Sequence, residues 1–234
     1  MENADRSKKS LRVELPPVKV ALPPVEVGLP PDATGERPTQ VVWIRLASAS
    51  ARTRREVDRI VAAAIGLADR EGLEALSMRR LAAALDTGTT TLYRHIANRD
   101  ELLELMVDAV AGEDPLPEAP SGNPSADLAL IARGARQSCH RHPWLVTQFA
   151  SRPTIGPNTL RGADFAFAVV SGLTSDIDVA ASMVASILYF VRGAVTDELA
   201  EDAAARRTGL TEEQWRAQMR PYVRSIIESG AYPH

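Results

Sequence analysis

The chain has 234 residues, 45% of them hydrophobic, a net charge of −3 and one cysteine, Cys139. This length supports a medium domain plus a small one, each with its own core, and a lone cysteine excludes an intrachain disulfide. No unbroken apolar run of 18 residues occurs and no apolar stretch follows the N-terminal charges, so the expectation is a cytoplasmic chain with no membrane partner.

Residues 1–50 differ from the rest. Leu-Pro-Pro recurs at Leu15, Leu22 and Leu29, and proline at that density breaks helices, so an extended, polyproline-like N-terminal extension is expected, disordered over 1–50. From Arg54 to Glu71, Val57, Ile60, Val61, Ala64, Ile65 and Ala68 share one helical face, and Gly72 ends it. Ser77 N-caps a shorter helix through Leu85, with Leu81, Ala82 and Leu85 inward. A tight turn at Asp86-Thr87-Gly88 leads to a helix from Thr89 to Ile96 that buries Leu92 and Ile96. Asn98 and Glu101 form a capping-box pattern that opens a further helix, Asp100–Ala111. Four prolines over Gly112–Pro124 interrupt the chain. Helices are then predicted near Ser125–Arg141, Pro143–Phe149, Pro157–Ser171, Asp176–Ala205 and Thr211–Ser229. With no strand-like alternation outside the tail, the fold class is all-α: a helix-turn-helix domain over 51–98 and a helical bundle over 99–234.

Two short helices joined by a three-residue turn, with small Ala82 at their contact, form a helix-turn-helix layout. This layout sets the second helix on the surface, its first residues able to reach base edges in the major groove of double-stranded DNA. Thr89, Thr90 and Thr91 stand there, each with a hydroxyl for a phosphate or base and a methyl for a thymine. Tyr93, Arg94 and His95 follow, with Arg79, Arg80 and Arg99 flanking the groove. Residues 51–100 carry nine arginines against seven acids, whereas residues 101–200 carry six basic groups against twelve acids. A DNA-binding head on an acidic body would show this split.

The run from Leu76 to Leu103, preceded by Ala-x-x-Leu-Ala-Asp-x-x-Gly-Leu at Ala64–Leu73, resembles the DNA-binding signature of the TetR family. The resemblance implies a homodimeric repressor, released from operator DNA by an unidentified small-molecule effector. It places DNA contacts on Arg79, Thr89, Thr90, Thr91, Tyr93, His95 and Arg99, the tyrosine and histidine holding phosphates. Asp86 stands where the family's turn usually has glycine, a position at which aspartate tolerates a left-handed backbone. Ser151-Arg152-Pro153-Thr154 is similar to the segment lining the drug pocket of tetracycline-binding members. Gln148 occupies the place of their magnesium-drug histidine, which counts against a tetracycline–magnesium ligand. The resemblance further implies a ligand cavity in the body and two long C-terminal helices pairing across a two-fold axis. The ligand-lining candidates are Trp144, Gln148, Ser151, Arg152, Asp164, Phe165, Met183 and Phe190, with Arg152, Gln148 and Asp164 as polar anchors. The helix Asp100–Ala111 joins head to body and would transmit ligand binding.

Cys139, His140 and His142 cluster in sequence, but neighbouring helical positions point apart, so no metal site is expected. No phosphate loop, nucleophile triad or paired carboxylates emerge, and no enzyme activity or cofactor is expected. Two other readings stay open: a helical enzyme with a non-functional helix-turn-helix, and an interaction adaptor using the Leu-Pro-Pro tail.

Overall fold

The computed structural model describes residues 42–148 and 154–230, which form ten α-helices and one 3-10 turn, Leu73–Ala75, with no strand among them. In chain order the helices are α1 (Val42–Ala47), α2 (Ala51–Glu71), α3 (Met78–Ala84), α4 (Thr89–Tyr93), α5 (Arg99–Ala111), α6 (Pro124–Arg141), α7 (Leu145–Gln148), α8 (Pro157–Val170), α9 (Ile177–Thr208) and α10 (Glu212–Glu228).

Local chemistry sets most of these boundaries. Ser50, Ser77, Asn98, Asn123 and Thr211 each accept a backbone N–H of the first turn that follows them, satisfying donors that a helix start leaves unpaired. Gly72, at φ 81°, ends α2 with its N–H on the Ala68 carbonyl, and Gly209, in the left-handed region, ends α9. Thr211 and Gln214 complete a reciprocal capping box. At α5 the pattern differs from the sequence expectation: Asn98 accepts from Glu101, but the Glu101 carboxylate accepts from the Ala97 N–H.

A second difference lies at the N-terminal boundary. Residues 42–47 are helical, and Val42 and Trp43 are buried in the core, so the extended chain expected over 1–50 does not hold for this stretch. The stretch after Pro38 is free of proline, and Val42 and Trp43 find apolar surface to cover. The Leu-Pro-Pro repeats lie outside the described residues.

Helices α2, α3, α4 and the start of α5 make the head, in which Ile60, Leu81, Leu92, Ile96, Leu102 and Met106 are fully buried. Helix α5 runs on into the body and packs on α8, while α6, α8 and α9 pack on one another. The last two helices are different in character. Only Ala180, Val191 and Val195 are buried along the 32 residues of α9, and α10 buries none. Helix α9 is also long and apolar enough, by length and composition, to cross a membrane.

Candidate nucleic-acid interface and cavity

The turn between α3 and α4 closes through Asp86, the one non-glycine among the described residues with a positive φ, 51°, and the Thr87 N–H donates to the Ala82 carbonyl at 3.0 Å. Aspartate thus adopts the left-handed conformation that a tight turn here requires. Helix α4 is anchored from behind by Leu92 and by Ile96 just beyond its end, both fully buried. Its other face is open: Thr90 and Thr91 are exposed, Thr89 is half-buried, and Tyr93 is 54% exposed. Arg79 and Arg94 are exposed alongside. Arg99 donates to the Leu73 carbonyl at 3.2 Å, tying the start of α5 to the 3-10 turn. Arg80 is engaged with Glu71 and, at 3.4 Å, the Ala75 carbonyl. His95 is half-buried, and its Nδ1 faces inward with no protein partner. The seven residues expected to meet DNA are therefore gathered around one short surface helix.

Head and body meet at His142, the C-cap of α6. Its Nδ1 lies 2.8 Å from Asp69 of α2 and its Nε2 3.0 Å from Glu113 just after α5. Trp144 donates from Nε1 to the same Asp69 oxygen at 2.8 Å. Burial opposes charge on the ring, but the hydrogen bonds to Asp69 and Glu113 outweigh it and lift the His142 pKa to about 9. His140 turns away to Glu198 of α9, and burial pushes the Cys139 thiol up to about 11, away from thiolate chemistry. The three residues that neighbour one another in sequence thus point to three different places, and no group of three or more potential metal ligands forms among the described residues.

A second buried node joins α5 to α8. Asp108, 1% exposed, accepts from the backbone N–H groups of Asn158 and Thr159, both at 2.9 Å, and from both of their side chains. Its carboxylate caps the start of α8, where the helix dipole favours negative charge. Desolvation nevertheless holds its pKa above the ordinary aspartate value, against the pull of these hydrogen bonds.

Beside this node, α5 and the segment after it, α6, α7, α8 and α9 line a half-open cavity of about 580 Å³. Its walls carry Val107, Val110, Ile131, Val184 and Leu188, and polar groups reach it from Gln137, Ser138, Asn158 and Thr159. The space exists because the facing positions are small: Ala111, Gly134, Ala135, Gly162, Ala163 and Ala166.

A surface helix anchored by a small core and followed by a cavity-bearing helical body is matched by known proteins. Residues 60–106 match the bacterial regulatory proteins of the tetR family, and residues 116–234, more than half of the chain, match the tetracyclin repressor-like C-terminal domain. The chain belongs to the TetR family of transcriptional regulators. Its similarity to the transcriptional repressor DrrR1 of Streptomyces coeruleorubidus is 40% identity over 186 residues, 76% of this chain and 66% of that protein. An HTH-type transcriptional regulator of Saccharopolyspora erythraea is 34% identical over 77% of this chain and 78% of its own length. Among solved structures, Streptomyces coelicolor ActR in complex with actinorhodin aligns at a TM-score of 0.58 with 34% identity, covering 62% of this chain and 68% of that one. The chain spans just under two thirds of the length of DrrR1.

The ligand candidates of this TetR-family chain sit differently from what the sequence suggested. Trp144 is buried at the head–body joint, Phe165 is buried on α8, and Asp164 is exposed there. Gln148 donates to Thr147. Met183 lines a shallow groove along α9 itself, and Phe190 is 77% exposed. None of these six lines the cavity, and Ser151 and Arg152 lie outside the described residues. A void opens where small residues face one another between larger walls, and the stripe Gly162-Ala163-Ala166 on α8 is the signal that sequence reasoning passed over. It also missed Trp43 and Arg45, since both fell within the presumed tail.

Proposed function

We propose that this TetR-family regulator is a homodimeric repressor that binds operator DNA through Arg79, Thr89, Thr90, Thr91, Tyr93, His95 and Arg99, and that a small molecule in the cavity releases it. The observation that carries this reading is α4: Thr90, Thr91 and Tyr93 are exposed while buried Leu92 and Ile96 anchor it from behind. Rigid presentation is what base reading in a major groove needs.

The division into a head over 51–98 and a body over 99–234 fits this role, with α5 crossing between them. Dimerisation is supported by the exposed apolar side chains of α9 and α10, among them Tyr189, Phe190, Trp215, Tyr222 and Ile227. On an acidic chain with a DNA-binding head, that surface is better covered by a second copy than by lipid, and the protein acts in the cytoplasm. Two-fold pairing would present two heads to a palindromic site. The cavity falls within the size range of small-molecule sites, about 300–1,000 Å³, and suits a largely apolar, drug-sized molecule with a polar edge toward Gln137, Ser138, Asn158 and Thr159. Actinorhodin, bound by ActR, is the first probe to try. A ligand releases DNA only through its preference for the geometry that does not fit the operator. No catalytic role is proposed.

Fluorescence anisotropy with a labelled duplex from beside the protein's own gene tests the reading. The expected result is saturable, salt-sensitive binding, weakened about tenfold or more by Tyr93→Ala without a change in melting temperature. Equal affinity for a scrambled duplex overturns it.

A further inference from the structure

Helix α1 precedes the helix-turn-helix and lies outside residues 60–106, which match the family's DNA-binding part, yet it makes some of the most specific long-range contacts in the head. Arg45 donates from Nη1 to the His95 carbonyl at 2.9 Å and pairs through Nη2 with Glu101. The first contact meets the chain just beyond α4, where helix carbonyls lack internal partners and a cation is favoured. The second reaches the opening turn of α5, where Glu101 is nearly buried, its side chain 9% exposed. One guanidinium fork thus fixes the angle between the recognition helix and the helix that carries it into the body.

Two residues earlier, Trp43 donates from Nε1 to Glu104 of α5 at 2.6 Å, and its ring presses on Gly156. A Cβ at Gly156 would stand 2.6 Å from Trp43 Cζ2 and 2.2 Å from the Asp108 carboxylate, so no larger residue fits without displacing one of them. Gly156 is the N-cap of α8, and the next turn contains Asn158 and Thr159, which hold Asp108 and face the cavity. Helix α1 therefore reaches, through Trp43, the N-cap Gly156 two residues before the cavity-lining Asn158 and, through Arg45, the His95 carbonyl two residues beyond α4.

We propose that α1 is a strap that sets the pose of the recognition helix and ties it to the start of α8, with Arg45 and Trp43 as positioning residues for DNA binding. Arg45 acts through the His95 carbonyl and Glu101 without touching DNA. Trp43 acts through Glu104 and the close approach of Gly156, so a shift of the first turn of α8 reaches α4 by a second route beside α5. This rests on the reading of α4 as the helix that meets DNA.

The test uses the full-length chain and the variants Arg45→Ala, Arg45→Lys and Trp43→Phe. Two quantities are read: affinity for the own-gene duplex across a series of salt concentrations, and amide deuterium uptake in the DNA-free protein. Arg45→Ala is expected to weaken binding about tenfold, leave the slope of log affinity against log salt unchanged, and speed exchange over residues 93–97. Arg45→Lys, which keeps the charge but not the fork, is expected to recover part of both losses. Trp43→Phe, which keeps a ring in the core, is expected to speed exchange over 93–97 and over 156–160 together. A slope reduced by about 0.9 in Arg45→Ala would mean a direct phosphate contact and overturn the positioning role. Unchanged affinity and unchanged exchange in Arg45→Ala overturn it equally, and exchange in Trp43→Phe that rises over only one of these two stretches overturns the tie. If the wild-type chain does not distinguish its own duplex from a scrambled one, the reading of α4 fails, while the exchange measurement still decides whether α1 holds α4.

Discussion

The head and the far side of the body treat apolar surface in opposite ways. Around α4 the large apolar side chains other than Tyr93 are buried or half-buried, with Ile60, Leu81, Leu92 and Met106 fully enclosed. Along α9 and α10 many large apolar residues stand outward: Phe190 is 77% exposed, Ile177 and Ile227 67%, and Tyr222 65%. The head buries its core within one chain, whereas the body leaves one apolar face exposed and one cavity open, the surfaces assigned to a second copy and a ligand in the proposed function. A DNA-reading element needs a fixed shape, and a response element needs surfaces whose occupancy can change.

The most severe way to break this contrast is to charge the unfinished face. Phe190→Glu combined with Tyr222→Glu is expected to yield a folded monomer by light scattering, with operator affinity reduced by more than about a hundredfold once the two heads no longer bind as a linked pair. A variant that stays dimeric would place the interface elsewhere. The next largest effect belongs to the finished side: Leu92→Ala should cost about 3 kcal/mol in denaturant unfolding, because the void opens in a core that cannot collapse around it.

The joint between the two regions is electrostatic and has a pH signature. His142 has its folded pKa raised to about 9 by Asp69 and Glu113 against the cost of burial, so its stabilisation is complete below the ordinary histidine value of about 6.5 and is lost as pH rises through about 9. On the order of 3 kcal/mol of unfolding free energy should disappear across that window, and His142→Gln should flatten this part of the profile. A wild-type profile flat between pH 6.5 and 9.5 would contradict the charged joint. The smallest effect sharpens the account of the cavity. Gly134 and Gly162 lie within helices and face open space, so alanine at either should stabilise the fold by up to about 1 kcal/mol. The same change narrows the cavity, so binding of a probe to the proposed ligand site should weaken with it.

What the sequence made legible follows the same division. The head could be read almost residue by residue, because caps at Ser77 and Asn98, the Asp86 turn and the inward pair Leu92 and Ile96 are local signals with local consequences. The long helices of the body were equally legible from Asp176 and Thr211 onward. The cavity was not. It is defined by missing volume at Ala111, Gly134 and Gly162 on three different helices, and nothing in one stretch of chain shows which small residues will face one another. Trp144 illustrates the converse: a large residue at an expected pocket position instead bonds Asp69, 75 positions away in sequence. Helix α1 was hidden by its neighbours, since the density of prolines before Pro38 coloured the reading of the proline-free residues that follow.

Footprinting the purified full-length protein on the DNA that flanks its own gene tests the central claim most directly. The account predicts a discrete protected site with two-fold symmetry, its half-sites about one helical turn or a small multiple apart, and loss of that protection in Tyr93→Ala. Uniform protection that ignores sequence, or a discrete footprint unaffected by substitutions on the exposed face of α4, would contradict it.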